Sequence, residues 1–169
     1  MADFKTAVLI SIDPEHEGGY QCNPHDSGNW TSGEIGVGEL KGTKYGISAA
    51  IFPSLDIKNL TPDQAVCLYQ DRYWKQYYSQ IDSQQMANKL FDLGLPFGVG
   101  TAIKILQEVL KVPVDGVFGP NTLAELNSSD PVKVLSDYKE AMVQRALNIG
   151  AANPEKRRFV SDWIRRINS

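Results

Sequence analysis

A glutamate followed at once by two glycines, Glu17-Gly18-Gly19-Tyr20, and an aspartate a little further on, Asp26, are the residues of this chain best suited to chemistry. Breaking a glycosidic bond needs a carboxylic acid to protonate the leaving oxygen. A second carboxylate usually activates water or stabilises an oxocarbenium-like transition state. Gly18 and Gly19 would stop a helix behind Glu17 and turn the backbone tightly, leaving the carboxyl at the floor of a cleft. Asp26 stands in the turn-forming run Asn23-Pro24-His25-Asp26-Ser27-Gly28, which could fold it back opposite Glu17. Glu34 and Glu39, in the Gly-rich stretch from Ser32 to Gly42, are alternative second carboxylates. By spacing alone, the plainer reading of Glu17 is a solvated carboxylate at a helix end, because Glu before Gly is common there.

Other chemistries find less support. The chain has no Gly-x-Ser-x-Gly and no phosphate-cradling Gly-rich loop ending in Lys and Ser/Thr. Its histidines are His16 and His25, and a zinc site from His16, Cys22, His25 and Asp26 fits no common ligand spacing. The expectation is a hydrolase without metal or cofactor. Tyr20, Trp30, Tyr45, Tyr73 and Trp74 could stack on sugar faces. Trp30 and Tyr45 fall in the loop region, whereas Tyr73 and Trp74 fall on a helix, where an aromatic is more often core.

The elements that must position these residues are mostly helices. Thr61-Pro62-Asp63-Gln64 is a capping box with Pro at the first helical position, followed by apolar Ala65, Leu68, Tyr69 and Tyr73. Ser83 can cap a segment with Met86, Ala87, Leu90 and Phe91 on one face, and Val99, Ala102, Ile103, Leu106 and Leu110 mark another. Asp130-Pro131 and Asn153-Pro154 would open two more, the second carrying Phe159, Trp163, Ile164 and Ile167. The stretch from Asp115-Gly116 to Thr122 reads as a turn and a Pro-started helix. Residues 18 to 48, rich in glycine and small polar residues, read as loops or a small irregular β-hairpin region. The expected fold is mainly α with a small irregular lobe near the N-terminus, divided into residues 1–85 and a helical region 86–169 packed on it.

Bulk properties agree with a globular domain: 42% of the 169 residues are hydrophobic and 22% charged. A net charge of −3 and a pI near 5.4 argue against a broad nucleic-acid-binding face. Cys22 and Cys67 give no basis for a disulfide. The apolar run Ala7 to Ile12, broken by Ser11, is neither a membrane span nor a secretory signal, so synthesis in a cytoplasm is expected. Lys156, Arg157, Arg158, Arg165 and Arg166 crowd the C-terminus around an apolar stripe. That segment reads as a helix docked on the core, or as a weak contact with an anionic envelope.

The run Glu17-Gly18-Gly19-Tyr20, Asp26-Ser27-Gly28, Thr43-Lys44-Tyr45-Gly46-Ile47-Ser48, Tyr73-Trp74 and Phe91-Asp92 resembles glycoside hydrolase family 108, muramidases of phages and bacteria. From Met86 through Gln107, Asp115-Gly116-Val117-Phe118-Gly119-Pro120-Asn121-Thr122 and Trp163, the chain resembles the predicted peptidoglycan-domain region that follows in that family. The resemblance implies a lysozyme-like α fold cleaving the β-1,4 bond between N-acetylmuramic acid and N-acetylglucosamine, with Glu17 as the catalytic residue. It also implies Asp26 and a threonine, either Thr31 or Thr43, as the rest of a Glu-Asp-Thr triad, and Asp92 among the substrate-binding residues. Pro14, which shortens or kinks the helix before Glu17, and Leu95-Pro96 depart from the family pattern. An endolysin-type monomer acting on the periplasmic wall follows from the resemblance. The alternatives are a non-catalytic peptidoglycan-binding protein and a lytic transglycosylase.

Overall fold

The structure, a computed structural model, describes residues 1–11 and 19–169. Its chain forms two compact units, Val8–Arg72 on the one hand and Met1–Ala7 with Tyr73–Ser169 on the other. Helix α1 spans Phe4–Ser11. The Asp3 carboxylate caps it, accepting from the Thr6 backbone at 2.7 Å and from the Thr6 hydroxyl at 2.8 Å.

The unit Val8–Arg72 holds the irregular lobe. Strands β1 (Thr43–Lys44) and β2 (Ile47–Ser48) pair antiparallel, Thr43 opposite Ser48 and Lys44 opposite Ile47. Tyr45 and Gly46 form the two-residue turn between them, both left-handed, with φ of 53° and 70°. A type I′ turn requires positive φ at both centres, because that twist matches the twist of the strands. Isolated bridges join Gln21 to Thr43 and Trp30 to Leu40, extending the hairpin into a small irregular sheet. Helix α2, Pro62–Tyr73, opens on the expected capping box: Thr61 N donates to Gln64 Oε1 at 2.9 Å, and Gln64 N to Thr61 Oγ1 at 3.3 Å. Ala65 and Tyr69, one helical turn apart, are its buried residues.

The other unit is a helical assembly of α3 (Gln84–Phe97), α4 (Val99–Leu110), α5 (Pro120–Ser128), α6 (Pro131–Ala152) and α7 (Val160–Asn168). Met86, Leu90 and Leu93 of α3 share one core with Ala102, Leu106 and Leu110 of α4. Val134, Tyr138, Met142 and Ala146, four residues apart along α6, complete that core with Leu126 and Ile167. Burying each large aliphatic side chain stabilises the fold by about 1.5–3 kcal/mol. Ser83 caps α3 through Met86 N at 3.2 Å, and Asp130 caps α6 through Val132 N at 2.9 Å. Gly98, at φ 85°, ends α3 and starts α4 in a single residue. Trp74 lies edge-on to Phe4 at 5.3 Å, Tyr78 at 5.5 Å and Phe91 at 5.9 Å. Among the described residues, the buried Tyr78 hydroxyl has no hydrogen-bond partner, and burial pushes its phenol far above the usual range.

One helix start differs from expectation. Asn153-Pro154 does not open α7: Asn153 closes α6, its side chain accepts from Glu155 N at 3.1 Å, and a turn and a 3-10 segment, Arg157–Phe159, precede Val160. The reason is close packing. Val160 lies so near Gly150 of α6 that a Cβ there would stand 2.4 Å from the valine methyl, so the chain must first cross the glycine before helix resumes.

Candidate active site

Pairing of the backbone brings the candidate residues together. Gln21 and Thr43 exchange N–H···O bonds of 2.9 and 2.8 Å, joining the segment that follows Glu17-Gly18-Gly19 to the β1 strand. Between them the chain turns at Asn23, whose Oδ1 accepts from His25 N at 3.0 Å, and reaches Asp26. Asp26 caps the 3-10 segment Ser27–Asn29, its Oδ1 accepting from Gly28 N at 2.9 Å. Its other oxygen accepts from Gln21 Nε2 at 3.2 Å, and the residue is otherwise open to solvent.

Asn29, 0% exposed, is the hub of this arrangement. Its Oδ1 accepts from Thr43 Oγ1 at 2.7 Å and from Gln21 Nε2 at 3.1 Å. Its Nδ2 donates to Gln21 Oε1 at 2.8 Å and to the Asn23 carbonyl at 2.9 Å. Every donor and acceptor of the amide is used, which is what makes a buried polar side chain tolerable and rigid. Asp26 and Thr43 are thereby tied to one network, and an exposed carboxylate is held in one orientation by two donors. Such an acceptor suits a reaction that develops positive charge or removes a proton from water.

The other candidates lie elsewhere. Thr31 exchanges backbone and side-chain bonds with Glu39: its N–H donates to Glu39 O and its Oγ1 accepts from Glu39 N, both at 2.9 Å. Glu39 reaches Lys41 at 3.1 Å, and Glu34 is exposed at the tip of the same loop. Trp30, half-buried, donates Nε1 to the Pro24 carbonyl at 2.9 Å. Tyr45 is half-buried at the hairpin turn, and Tyr20 is 39% exposed. Tyr73, half-buried, ends α2. Trp74 belongs to the aromatic cluster of the helical unit. Asp92, 4% exposed on α3, accepts from Arg166 Nε at 3.0 Å and Nη2 at 2.8 Å, with Lys89 Nζ at 3.9 Å. Glu17, His16 and Pro14 lie outside the described residues. Gln21 and Asn29 carry the network, although the sequence alone does not single them out. Each is a polar residue in a polar loop, and the partners stand eight and fourteen residues apart.

Among the described residues, no group of three or more His, Cys, Asp or Glu is placed to hold a metal ion. Comparison with known proteins gives the chain a family. Glycosyl hydrolase 108 matches residues 14–98, a span that includes Glu17 and the whole Gln21–Asn29–Thr43 network. The family described as "Predicted Peptidoglycan domain" matches residues 101–168. No curated protein matches the chain. Among solved structures, that of Brucella abortus SagA superposes with a TM-score of 0.73 at 23% identity, over 98% of this chain and 91% of that one, and the shared fold is mainly α and lysozyme-like. The chain belongs to the glycosyl hydrolase 108 family, a glycoside hydrolase with peptidoglycan as its substrate or partner.

Proposed function

We propose that the chain cleaves the β-1,4 bond between N-acetylmuramic acid and N-acetylglucosamine, as an endolysin-type muramidase with Glu17 as general acid and Asp26 as the second carboxylate. The observation that carries this reading is the Asp26–Gln21–Asn29–Thr43 network inside the matched glycosyl hydrolase region. Glu17 gives its proton to the bridging oxygen as the bond to the anomeric carbon breaks. Asp26 stabilises the developing oxocarbenium ion, or takes a proton from the attacking water. Thr43, fixed by Asn29, stands for the threonine of the triad, and Trp30 and Tyr45 contact sugar faces. The enzyme works as a monomer on the periplasmic wall after synthesis in the host cytoplasm.

Release of reducing ends from purified walls tests the assignment. Glu17→Gln keeps the shape of the side chain and removes its proton, so the rate falls by at least about 100-fold with unfolding unchanged. Retention of more than a tenth of the rate removes Glu17 from the role. Mass spectrometry of the fragments separates hydrolysis, which adds water, from transglycosylation, which leaves an anhydro-muramic end. Co-sedimentation with walls and no fragments marks a binder.

A further inference from the structure

We infer that the cavity beside Tyr20 is a subsite for one N-acetylhexosamine ring, an inference that rests on the glycan-cleaving function proposed above. The cavity encloses about 350 Å³. That places it at the small end of the roughly 300–1,000 Å³ typical of ligand sites, a size for a single sugar ring. Tyr20, Leu40, Leu55, Asp56, Ile57 and Lys58 line it.

A sugar ring has an apolar C–H face and a polar hydroxyl edge, and the lining supplies a partner for each. Tyr20 offers the aromatic face. Its ring is braced from behind by Gly42: at φ 82°, a Cβ there would stand 2.8 Å from the ring and 2.5 Å from the Gln21 carbonyl, so only glycine permits the approach. An aromatic held in place before binding loses little entropy when a ligand arrives. Leu40, Leu55 and Ile57 give an apolar surface for an acetamido methyl. Asp56 and Lys58 put an acceptor and a donor at the rim for hydroxyls, and Asn59 steadies the Asp56 carboxylate through its N–H at 3.3 Å and its Nδ2 at 2.9 Å. Lys41 and Lys58 in the lining are offset by Asp56 beside them and by Glu39, which pairs with Lys41, so the cavity has no excess positive charge to select a phosphate or nucleic-acid ligand. Tyr20 also stands three residues after Glu17, a length of chain that spans at most roughly 11 Å.

The test measures binding apart from turnover. Calorimetric titration of the full chain with chitotetraose, a β-1,4-linked N-acetylglucosamine tetramer, is run on the wild type and on Tyr20→Ala, Tyr20→Phe and Ser54→Trp. Ser54 lines the same cavity and is exposed, so the indole fills the space without entering a core. Tyr20→Ala and Ser54→Trp weaken binding by about 10-fold, while Tyr20→Phe, which keeps the ring and loses the phenol, stays within about 2-fold. Thermal unfolding of each variant reports on folding. Equal affinity in wild type, Tyr20→Ala and Ser54→Trp, or no affinity in the wild type, overturns the subsite. Reducing-end release from walls by the wild type is scored separately. Release with unaltered variant affinity removes the subsite and leaves the hydrolase, whereas lost affinity in the variants without release by the wild type keeps the subsite and removes the hydrolase.

Discussion

The Tyr69 hydroxyl donates to the Tyr45 carbonyl at 2.6 Å, so a buried side chain of α2 holds the hairpin turn in place. Tyr45 is kept at φ 53°, where a non-glycine residue is disfavoured by about 1 kcal/mol. Tyr45→Asn suits the type I′ turn better and raises stability by up to about 1 kcal/mol, read by thermal unfolding. The same change removes the ring and lowers wall clearance several-fold. Full clearance by a stabilised variant shows that the ring has no part in binding.

Asn29→Ala strips the network of its buried hub: the Thr43 hydroxyl loses its bond to the amide oxygen, and the Gln21 side chain is left with Asp26 and the Asn23 N–H. The expected cost is about 2–3 kcal/mol in denaturant unfolding, together with loss of activity because Asp26 is no longer held through Gln21. Thr43→Ser keeps the hydroxyl and costs less than about 1 kcal/mol. Equal stability of Asn29→Ala and wild type refutes the hub.

Tyr78→Phe removes a buried hydroxyl that bonds with nothing described around it. Deleting an unsatisfied group relieves its desolvation, so the variant is as stable as the wild type or more so, by up to about 1 kcal/mol. A loss above that amount in a thermal melt reveals a partner for the hydroxyl.

Arg166→Ala takes from the buried Asp92 carboxylate the guanidinium that donates to it, while Lys89 Nζ stays 3.9 Å away. Breaking a fully buried pair costs about 3–5 kcal/mol. Arg166 keeps 25% of its side chain exposed, so solvent screening reduces the expected loss to about 2 kcal/mol. Removing residues 153–169 also takes Ile167 from the core and lowers the melting temperature further. An unchanged melting temperature in Arg166→Ala sets the pair aside as a stabilising contact.

Asp115 accepts from Gln107 Nε2 and from Val117 N, both at 2.8 Å, and these bonds hold its carboxyl below the ordinary 3.8. A carboxyl depressed by folding adds stability above 3.8, and the gain is lost as pH falls through the lower folded value. The difference in melting temperature between wild type and Asp115→Asn is therefore full at neutral pH and closes in strong acid. A difference independent of pH places the effect in packing instead of charge.

Much of the scaffold was legible because its signals are local. Thr61 with Gln64, Ser83 with Met86, and Asp130 with Val132 are partners within three residues, so spacing is enough to find them. The site was legible only in its residue types. Gln21, Asn29 and Thr43 meet through backbone pairing across 22 residues, and no local periodicity encodes that meeting. Asn153-Pro154 misled for a related reason: its local start signal is genuine, but the approach of Val160 to Gly150 sets where regular helix resumes.

Gly98 also bears on how such a chain can be cut and recombined. The glycosyl hydrolase match ends there, and the peptidoglycan-domain match begins at residue 101. Yet α3 before it and α4 after it bury Leu90, Leu93, Ala102 and Leu106 in one core. A chimera spliced at this family border would inherit half an interior and expose apolar surface on both parts. Residues 8–72, which leave and re-enter the helical unit, form the compact segment by contact. The boundaries of compactness therefore do not coincide with the glycine where the two sequence families meet, and a splice at that glycine divides an interior that α3 and α4 share.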